Sequence, residues 1–295
     1  MKLSIIVVSY NEAEYLSGCL NSILNQNVNF DYEIIIGDDG SSDNSLEIIK
    51  DYESNYPNIS HFVQERPKDL KIKDIIPSVR VSAVIFKALE IAQGEYINVI
   101  SADDYFLGKN KFQSAVEFLD LHKSWAAYAS SFMLSYPDGR SERVDFNDKG
   151  RFGFWDGRYI HISCFVFRSF KGTKFLLDDI IDDCGLRYSI VMRGKIKYSN
   201  EVEFTYRQRN SSIMHSDKHD ALDIMEMLMF QVILNKALPS FGKILPFIRL
   251  RNLNYKMFSQ KKNCRSLFHI SRKRSGILIW LGKGGLKKAL GETRF

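Results

Sequence analysis

Residues 34–45 read IIIGDDGSSDNS and residues 96–106 read YINVISADDYF, so each segment places two adjacent aspartates at the end of an apolar run. Short apolar runs rich in β-branched residues and bounded by turn residues are typical of buried parallel strands. In an open α/β sheet, ligands bind outside the carboxyl ends of the strands. We therefore expect both pairs, Asp38-Asp39 and Asp103-Asp104, to face one cleft. Turn formation and helix capping are the alternative roles for such pairs.

The pattern around these segments predicts alternating strands and helices. The expected elements are a strand at Leu3–Ser9, a helix from Glu12 to Asn25, a strand at 34–37, a helix capped by Ser42 or Asp43 that ends near Tyr56, and a strand at 59–64. This order is that of βαβ units, which place their strands parallel in one sheet.

The turn after the first strand excludes two common nucleotide sites. It reads Ser9-Tyr10-Asn11-Glu12, without the G-x-G-x-x-G of a dinucleotide fold, and no G-x-x-x-x-G-K-[ST] phosphate loop occurs in the chain. A diphosphate bound at this edge would need a metal ion to offset its charge. The aspartate pairs supply the hard oxygen ligands that such an ion prefers.

Four segments together resemble the family 2 glycosyltransferases of GT-A fold. They are, in chain order, SIIVVSYNEAEYL, EIIIGDDGSSDNS, ALEIAQGEYINVISADD and IIDDCGLRYSIVMRG. The resemblance implies an α/β fold of the nucleotide-diphospho-sugar transferase type, with a Rossmann-like mixed sheet flanked by helices. It also implies a catalytic domain over residues 1–215, divided into a nucleotide-binding half (1–104) and an acceptor half with an active-site loop (105–215).

The resemblance assigns donor-binding roles to the strand-end residues. It implies that Ser9 and Asp39 contact a uracil ring, that Asp103 lies near the ribose, and that Asp104 holds a divalent metal, Mn²⁺ or Mg²⁺, under the diphosphate. Tyr10 and Asn11 join this set from the first turn. Asp38 is expected to serve turn and cap geometry.

The fourth segment carries the expected general base. The family places this base in an acidic pair followed eleven residues later by a glycine that ends a helix, and Asp182-Asp183 with Gly194 has that spacing. Asp183 is the assigned base for inverting transfer, which needs one carboxylate and no covalent intermediate. A helix N-terminus, where the dipole favours carboxylates, is the alternative role for the pair. Asp178-Asp179 is equally acidic but lacks the glycine spacing.

Basic residues are the candidate ligands for the diphosphate. The arginine that the family often carries before GEYI is replaced here, so Arg80 is the substitute candidate, with a solvated helix-start arginine as the alternative. The segment 206–215 (YRQRNSSIMH) resembles the family's flexible active-site loop. Arg207 and Arg209 are expected to contact phosphate there, and His215 is a candidate supplementary metal ligand.

The segment Tyr159–Arg168 (YIHISCFVFR) alternates as a strand does, and we expect it to border the acceptor. It contains His161 and Cys164, but a lone histidine in a strand is more often a packed core or cleft residue than a metal ligand.

Composition is that of an ordinary globular protein, with 295 residues, 45% hydrophobic and 26% charged. Four cysteines without C-x-x-C spacing and no recognisable signal peptide predict reduced thiols in a cytoplasmic protein. No apolar run reaches the roughly 18 residues of a membrane-spanning helix, so we expect no integral membrane segment.

Charge divides the chain unevenly. Residues 241–295 hold 14 Lys and Arg against one acidic residue, a net charge of +13, whereas the preceding residues carry −7. Residues 216–295 are therefore interpreted as a basic helical extension that binds an anionic membrane surface. A helical hairpin packed on the catalytic domain is the alternative. No nucleic-acid motif accompanies the charge.

The sequence thus predicts an inverting, metal-dependent glycosyltransferase, peripheral on the inner face of the cell membrane. The expected donor is a nucleotide-diphosphate sugar, UDP-linked, and the expected acceptor is a hydroxyl of a glycan or lipid-linked oligosaccharide in surface polysaccharide synthesis. The alternatives are transfer to polyprenyl phosphate or protein, and a non-catalytic protein that binds sugar nucleotides. Sugar nucleotidyltransferases are disfavoured because they open with a glycine-rich turn.

Overall fold

The structure is a computed structural model that describes residues 1–64, 77–145, 161–171, 186–187, 189–190 and 193–209. The chain divides into two compact units, Met1–His219 and Asp220–Phe295, and the described residues all belong to the first. The elements in chain order are β1 (Leu3–Ser9), α1 (Ala13–Leu24), β2 (Tyr32–Asp38), α2 (Ser45–Asn55), β3 (Ile59–Val63), α3 (Pro77–Ile91), β4 (Tyr96–Ser101), β5 (Tyr105–Phe106), α4 (Lys111–Leu121), β6 (Trp125–Ser135), β7 (Ser141–Val144), β8 (Phe165–Arg168) and β9 (Lys195–Arg207).

One half of the sheet is parallel. Its strands lie in the order β3-β2-β1-β4, and each neighbouring pair runs in the same direction. Ser9 pairs with Asp38, and Val8 pairs with both Gly37 and Ser101. The carboxyl ends of the central strands are therefore level, as the sequence predicts, and the residues that follow them open onto the same edge.

The other half mixes directions. β8 pairs antiparallel with β4 and β6, β9 runs parallel to β6, and the short β5 pairs antiparallel with β9. β7 pairs antiparallel with the last four residues of β6. The described residues thus form one nine-stranded mixed sheet, which confirms the predicted fold class.

Helices cover the sheet through amphipathic faces. In α1 the buried side chains are Leu16, Cys19, Leu20 and Ile23, a spacing that puts them on one stripe of the helix. α3 packs on β1 and β2. A methyl group at Gly37 of β2 would collide with Val84 of α3 and with the ring of Phe62, so glycine permits this close approach. No helix in the described ranges is both long enough and apolar enough to span a bilayer.

The predicted strand at Tyr159–Arg168 is wrong in its middle part. Ile162–Cys164 form a turn of 3₁₀ helix, and the strand begins only at Phe165. The carbonyl groups here bond to side chains instead of a neighbouring strand, since Asn98 Nδ2 donates to Ser163 O (3.1 Å) and Phe165 O (2.7 Å). A local polar partner thus overrides the alternating pattern.

The cap position of α2 lies one residue beyond the predicted pair, Ser42 or Asp43. The helix begins at Ser45, and Asn44 occupies the cap position without a side-chain cap hydrogen bond. Asp43 accepts from the backbone N–H of Ser45 (3.0 Å) with one oxygen and from that of Ala13 (3.1 Å) with the other. The polar residues before α2 therefore join the loop after β2 to the start of α1.

Candidate active site

The loops after β1 and β2 are held together by side-chain hydrogen bonds. Asn11 adopts a left-handed backbone (φ 54°), its N–H donates to Ser41 Oγ (2.8 Å), and its Oδ1 accepts from Ser42 N–H (2.8 Å). Asp38 is fully buried and accepts from both the N–H and the hydroxyl of Ser41, at 2.7 and 2.6 Å. Asp38 therefore has the turn role that the sequence predicts. Tyr10, beside Asn11, is 41% exposed to solvent.

Ser9, Asp39 and Arg80 meet at the ends of β1 and β2. The Asp39 N–H donates to Ser9 O (2.9 Å), and Arg80 Nε donates to both Asp39 carboxylate oxygens, at 2.8 and 2.9 Å. Gln64, missed by the sequence analysis, donates to Asp39 Oδ1 from its side chain (3.3 Å). The Ser9 hydroxyl is buried and has no hydrogen-bond partner among the described residues. The Asp39 carboxyl group, held in place by the Arg80 guanidinium, offers hydrogen-bond acceptors to a ligand that carries N–H donors.

The second pair of aspartates lies deeper. Asp104 is 1% exposed, and its Oδ1 accepts from the Arg207 N–H (2.9 Å), while its Oδ2 is buried and has no hydrogen-bond partner among the described residues. Burial raises the pKa of Asp104 well above its usual range, and the charge of Asp103 raises it further. Burial also raises the pKa of Asp103, although the nearby arginines oppose that change.

Residues Arg207–Arg209, here called the arginine segment, reach from the end of β9 to the start of α1. Arg209 Nη2 lies 2.7 Å from Asp103 Oδ2, and its two Nη atoms donate to Glu12 Oε2 (2.9 Å) and Oε1 (2.7 Å). The Arg207 guanidinium lies over the rings of Tyr15 and Tyr105, 4.8 and 4.7 Å from their centroids. The segment therefore covers both aspartates.

Glu12, Tyr15 and Tyr105 were missed by the sequence analysis as members of this site. Glu12 lies three residues after the end of β1, so the strand-end argument that selected the aspartates also applies to it. Burial raises the pKa of Glu12 to about 7, although the ion pair with Arg209 acts in the opposite direction. The tyrosines carry no comparable signal, because stacking on an arginine distant in sequence leaves no local pattern.

The donor set suits a divalent cation that is held partly by its substrate. Within the described ranges, no three His, Cys, Asp or Glu side chains are arranged so as to hold a metal ion. Mg²⁺ and similar ions, however, are commonly bound by one or two carboxylates, with water and substrate phosphates completing the shell. The unpartnered Oδ2 of buried Asp104 fits that requirement, since a cation would supply the partner it lacks.

Several predicted residues lie outside the described residues, including the base candidate Asp183, its neighbour Asp182 and the candidate ligand His215. Gly194, which marks the spacing from Asp183, directly precedes β9. A methyl group there would lie 3.1 Å from Ser124 O and 3.2 Å from Ala126 N, so close packing against the start of β6 favours glycine. The His161 ring packs against the rings of Phe204 and Tyr206, with centroids 5.1 and 4.5 Å apart.

Comparison with known proteins agrees with this architecture. The fold is that of the GT-A glycosyltransferases. S. aureus TarS 1–349, solved with UDP-GlcNAc, superimposes with a TM-score of 0.56 at 20% identity, covering 82% of this chain and 73% of TarS. The mannosyltransferase PcManGT of Pyrobaculum calidifontis, solved with GDP-Man and Mn²⁺, gives 0.52 at 15% identity, covering 99% and 88% of the two chains.

Sequence comparison then gives the family. Residues 4–180 match the sequence model of a protein family, glycosyl transferase family 2, so the chain belongs to that family. The poly(ribitol-phosphate) β-glucosyltransferase of Bacillus spizizenii is 38% identical over 106 residues, which cover 36% of this chain and 15% of that protein. The curated relatives are considerably longer than the matched region, which covers 38% of uncharacterized protein Rv1520 of Mycobacterium tuberculosis.

Proposed function

We propose that this protein is an inverting, metal-dependent glycosyltransferase that moves a sugar from a nucleotide-diphosphate donor, UDP-linked, to a hydroxyl of a glycan. The observation that carries the proposal is the buried Asp104 oxygen without a partner, beside Asp103 and under the arginine segment. The UDP-GlcNAc of TarS and the GDP-Man with Mn²⁺ of PcManGT support the donor class and the metal.

The nucleotide donor would bind at two places, the base beside Asp39 and the ribose and diphosphate beside Asp103 and Asp104. Asp39, oriented by Arg80, accepts a hydrogen bond from a ring N–H of the base, as uracil provides and cytosine does not. Ser9 lies beside it, with Tyr10 and Asn11 at the rim. Asp103 lies toward the ribose, and Asp104 holds Mn²⁺ or Mg²⁺. When bound, the ion offsets negative charge on the leaving diphosphate.

Charge explains why cation and diphosphate would bind together. Glu12, Asp103 and Asp104 bring three carboxylates into the cleft against two guanidiniums, Arg207 and Arg209. With the carboxylates ionised, the cleft is net negative and repels a bare diphosphate. A divalent cation held by Asp104 would reverse the sign, and Arg207 and Arg209 would then be able to contact phosphate oxygens.

Transfer itself needs one base. In the proposed reaction Asp183 accepts the proton of the acceptor hydroxyl, whose oxygen forms a bond to the anomeric carbon. The bond from that carbon to the phosphate oxygen breaks, and the nucleoside diphosphate leaves from the opposite face with its bonding electrons. The configuration of the anomeric carbon inverts, and no covalent enzyme intermediate forms.

The proposed acceptor is a lipid-linked oligosaccharide or related surface polymer at the inner face of the cell membrane. The support is the net charge of +13 over residues 241–295, which suits an anionic membrane surface, and the similarity to the Bacillus spizizenii poly(ribitol-phosphate) β-glucosyltransferase. For the metal ion, His215 is proposed as a supplementary ligand beside Asp104.

A thermal-shift panel tests the donor assignment. UDP-, GDP- and dTDP-sugars are added with Mn²⁺, with Mg²⁺ and with chelator. A UDP-sugar with metal is expected to raise the melting temperature most, because a ligand at about 100 times its Kd stabilises the folded state by about 2.7 kcal/mol. NMR of the product then gives the anomeric configuration. Equal shifts with and without metal would contradict the metal role, and retention of configuration would contradict inversion.

A further inference from the structure

β9 contains an irregularity directly before the residues that reach the site. Its pairing with β6 passes from Ser131↔Val202 to Phe132↔Phe204, so Glu203 is an extra residue in β9. Glu203, Phe204 and Thr205 are all buried, so the extra residue lies inside the fold and not on its surface. A bulge of this kind bends a strand and redirects a side chain.

The redirected side chain meets a fully buried lysine. Lys111, the first residue of α4, is 0% exposed, and its Nζ donates to Ser130 Oγ (2.8 Å) and Cys164 O (3.0 Å). The same Nζ lies 3.9 Å from Glu203 Oε2, an atom that is buried and has no hydrogen-bond partner among the described residues. One ammonium group thus joins α4, β6, the 3₁₀ turn and the bulge of β9.

Stability alone does not account for this pair. Burial lowers the pKa of Lys111 and raises the pKa of Glu203, so burial acts against both charges. Replacing a buried ion pair by apolar residues of similar volume is often neutral or stabilising. Buried polar pairs of this kind are known in some proteins to select one register over its neighbours.

The residues after the bulge depend on its register. Phe204 and Thr205 pair with Phe106 and Tyr105, the residues that follow the aspartates, and the Arg207 N–H caps Asp104. A shift of one residue in a strand sends each side chain to the opposite face. If β9 lost its extra residue, Arg207 would no longer present its N–H to Asp104, and Arg209 would leave Asp103.

We propose that Lys111 and Glu203 are positioning residues that fix the bulge of β9 and thereby hold the arginine segment over Asp103 and Asp104. The consequence for donor affinity rests on the proposed function. The register claim itself does not. Neither residue contacts the donor in this proposal, so both act through Arg207 and Arg209.

The test replaces the pair in the full chain by Lys111→Met with Glu203→Leu, an apolar pair of similar volume. The matched control changes exposed neighbours, Lys109→Met with Glu201→Gln. Residue-resolved hydrogen exchange follows the amides of Arg207, bonded to Asp104, and Gln208, bonded to Ser135 O, with Ile6 in β1 as internal reference. Calorimetry with UDP and Mn²⁺ measures affinity.

The apolar pair is expected to preserve the melting temperature while the Arg207 and Gln208 amides exchange at least roughly tenfold faster and UDP–Mn²⁺ affinity falls roughly tenfold, a usual effect of losing a supporting residue behind a metal site. Glu203→Gln, which keeps the side-chain volume, should change the same amides if the apolar pair does not fold. Unchanged Arg207 exchange would overturn the register claim. Unchanged affinity despite faster exchange would overturn the consequence for donor binding. A wild-type chain that binds no nucleotide would refute the proposed function, and exchange would still decide the register.

Discussion

At the scale of single residues, Asp104 differs from an ordinary turn aspartate because its two oxygens meet different surroundings. One accepts a backbone N–H from Arg207, and the other is buried without a partner in the described part of the chain. Because burial raises its pKa, the ionised form costs stability in the absence of a cation. This loss of stability is absent below the usual carboxyl pKa of about 4, where Asp104 is protonated in both the folded and the unfolded chain. It grows as pH rises above that value.

Asp104→Asn should therefore separate stability from function. At pH 7 without metal, the variant is expected to melt no lower than the wild type, because the amide removes the costly charge. Its stabilisation by UDP with Mn²⁺ should be lost, together with nearly all transfer. Differential scanning fluorimetry with and without ligand measures both effects, and Asp138→Asn on an exposed turn is the matched control. Full transfer by Asp104→Asn in chelator would contradict the metal role.

Asp183→Asn should affect chemistry and leave binding intact. If Asp183 only accepts the acceptor proton, transfer should fall by roughly two to four orders of magnitude, the usual effect of losing a general base. UDP–Mn²⁺ affinity, measured by calorimetry, should be unchanged. Asp179→Asn serves as the control from the same acidic stretch. A normal rate for Asp183→Asn with a slow Asp179→Asn would move the base to that neighbour.

At the scale of elements, the ion pair between Glu12 and Arg209 joins the end of β9 to the start of α1 across 197 residues of sequence. The pKa of Glu12, raised to about 7 from an ordinary 4.5, couples this connection to pH. A raised carboxyl pKa favours the protonated form in the folded state. The resulting stability is full below pH 4.5 and is lost as pH rises through about 7.

Glu12→Gln should remove this pH dependence. Between pH 5 and pH 8 the free energy of unfolding of the variant, relative to the wild type, is expected to rise by roughly 1 to 2 kcal/mol, less than the full pKa shift implies because solvent screens part of it. The difference should be constant below about pH 4. Urea unfolding at each pH provides the measurement. Glu14→Gln, on the exposed side of α1, is the matched control. Parallel pH profiles for wild type and Glu12→Gln would refute the role of Glu12.

At the scale of the whole molecule, charge separates the first 240 residues, with a net −7, from residues 241–295, with +13. An acidic domain is repelled by an anionic membrane, whereas each Lys or Arg near such a surface contributes on the order of 1 kcal/mol. The proposed division of labour follows, in which the aspartates perform chemistry and the extension brings the enzyme to its acceptor.

A chain truncated after residue 240 should lose binding to anionic liposomes. The full chain is expected to sediment with them and to be released in part by raised salt, because ions screen the attraction. Insertion of the apolar side chains around Trp280 should leave a salt-resistant fraction. Truncation should reduce transfer to a lipid-linked acceptor far more than donor hydrolysis in solution. Equal sedimentation of both chains would instead favour a helical hairpin packed on the catalytic domain.

The sequence by itself determined the parallel half of the sheet and the edge at which the site lies. Leu3–Ser9 and the runs before Asp38 and Asp103 are continuous apolar strands, because both faces of a central parallel strand are buried. Once such strands are level, the polar residues that follow them must share one edge. Local patterns suffice for that conclusion, since each run carries its own period and its own turn residues.

Only the tertiary structure decided which groups meet across the cleft. Arg80 pairs with Asp39, and the Arg207 N–H caps Asp104 from 103 residues away. The bulge at Glu203 and the 3₁₀ turn before β8 both contradict a simple alternation, and in each case buried polar side chains supply the partners. Such contacts depend on how separate elements pack. A local sequence pattern does not identify a partner that is distant in the chain and becomes a neighbour only through folding.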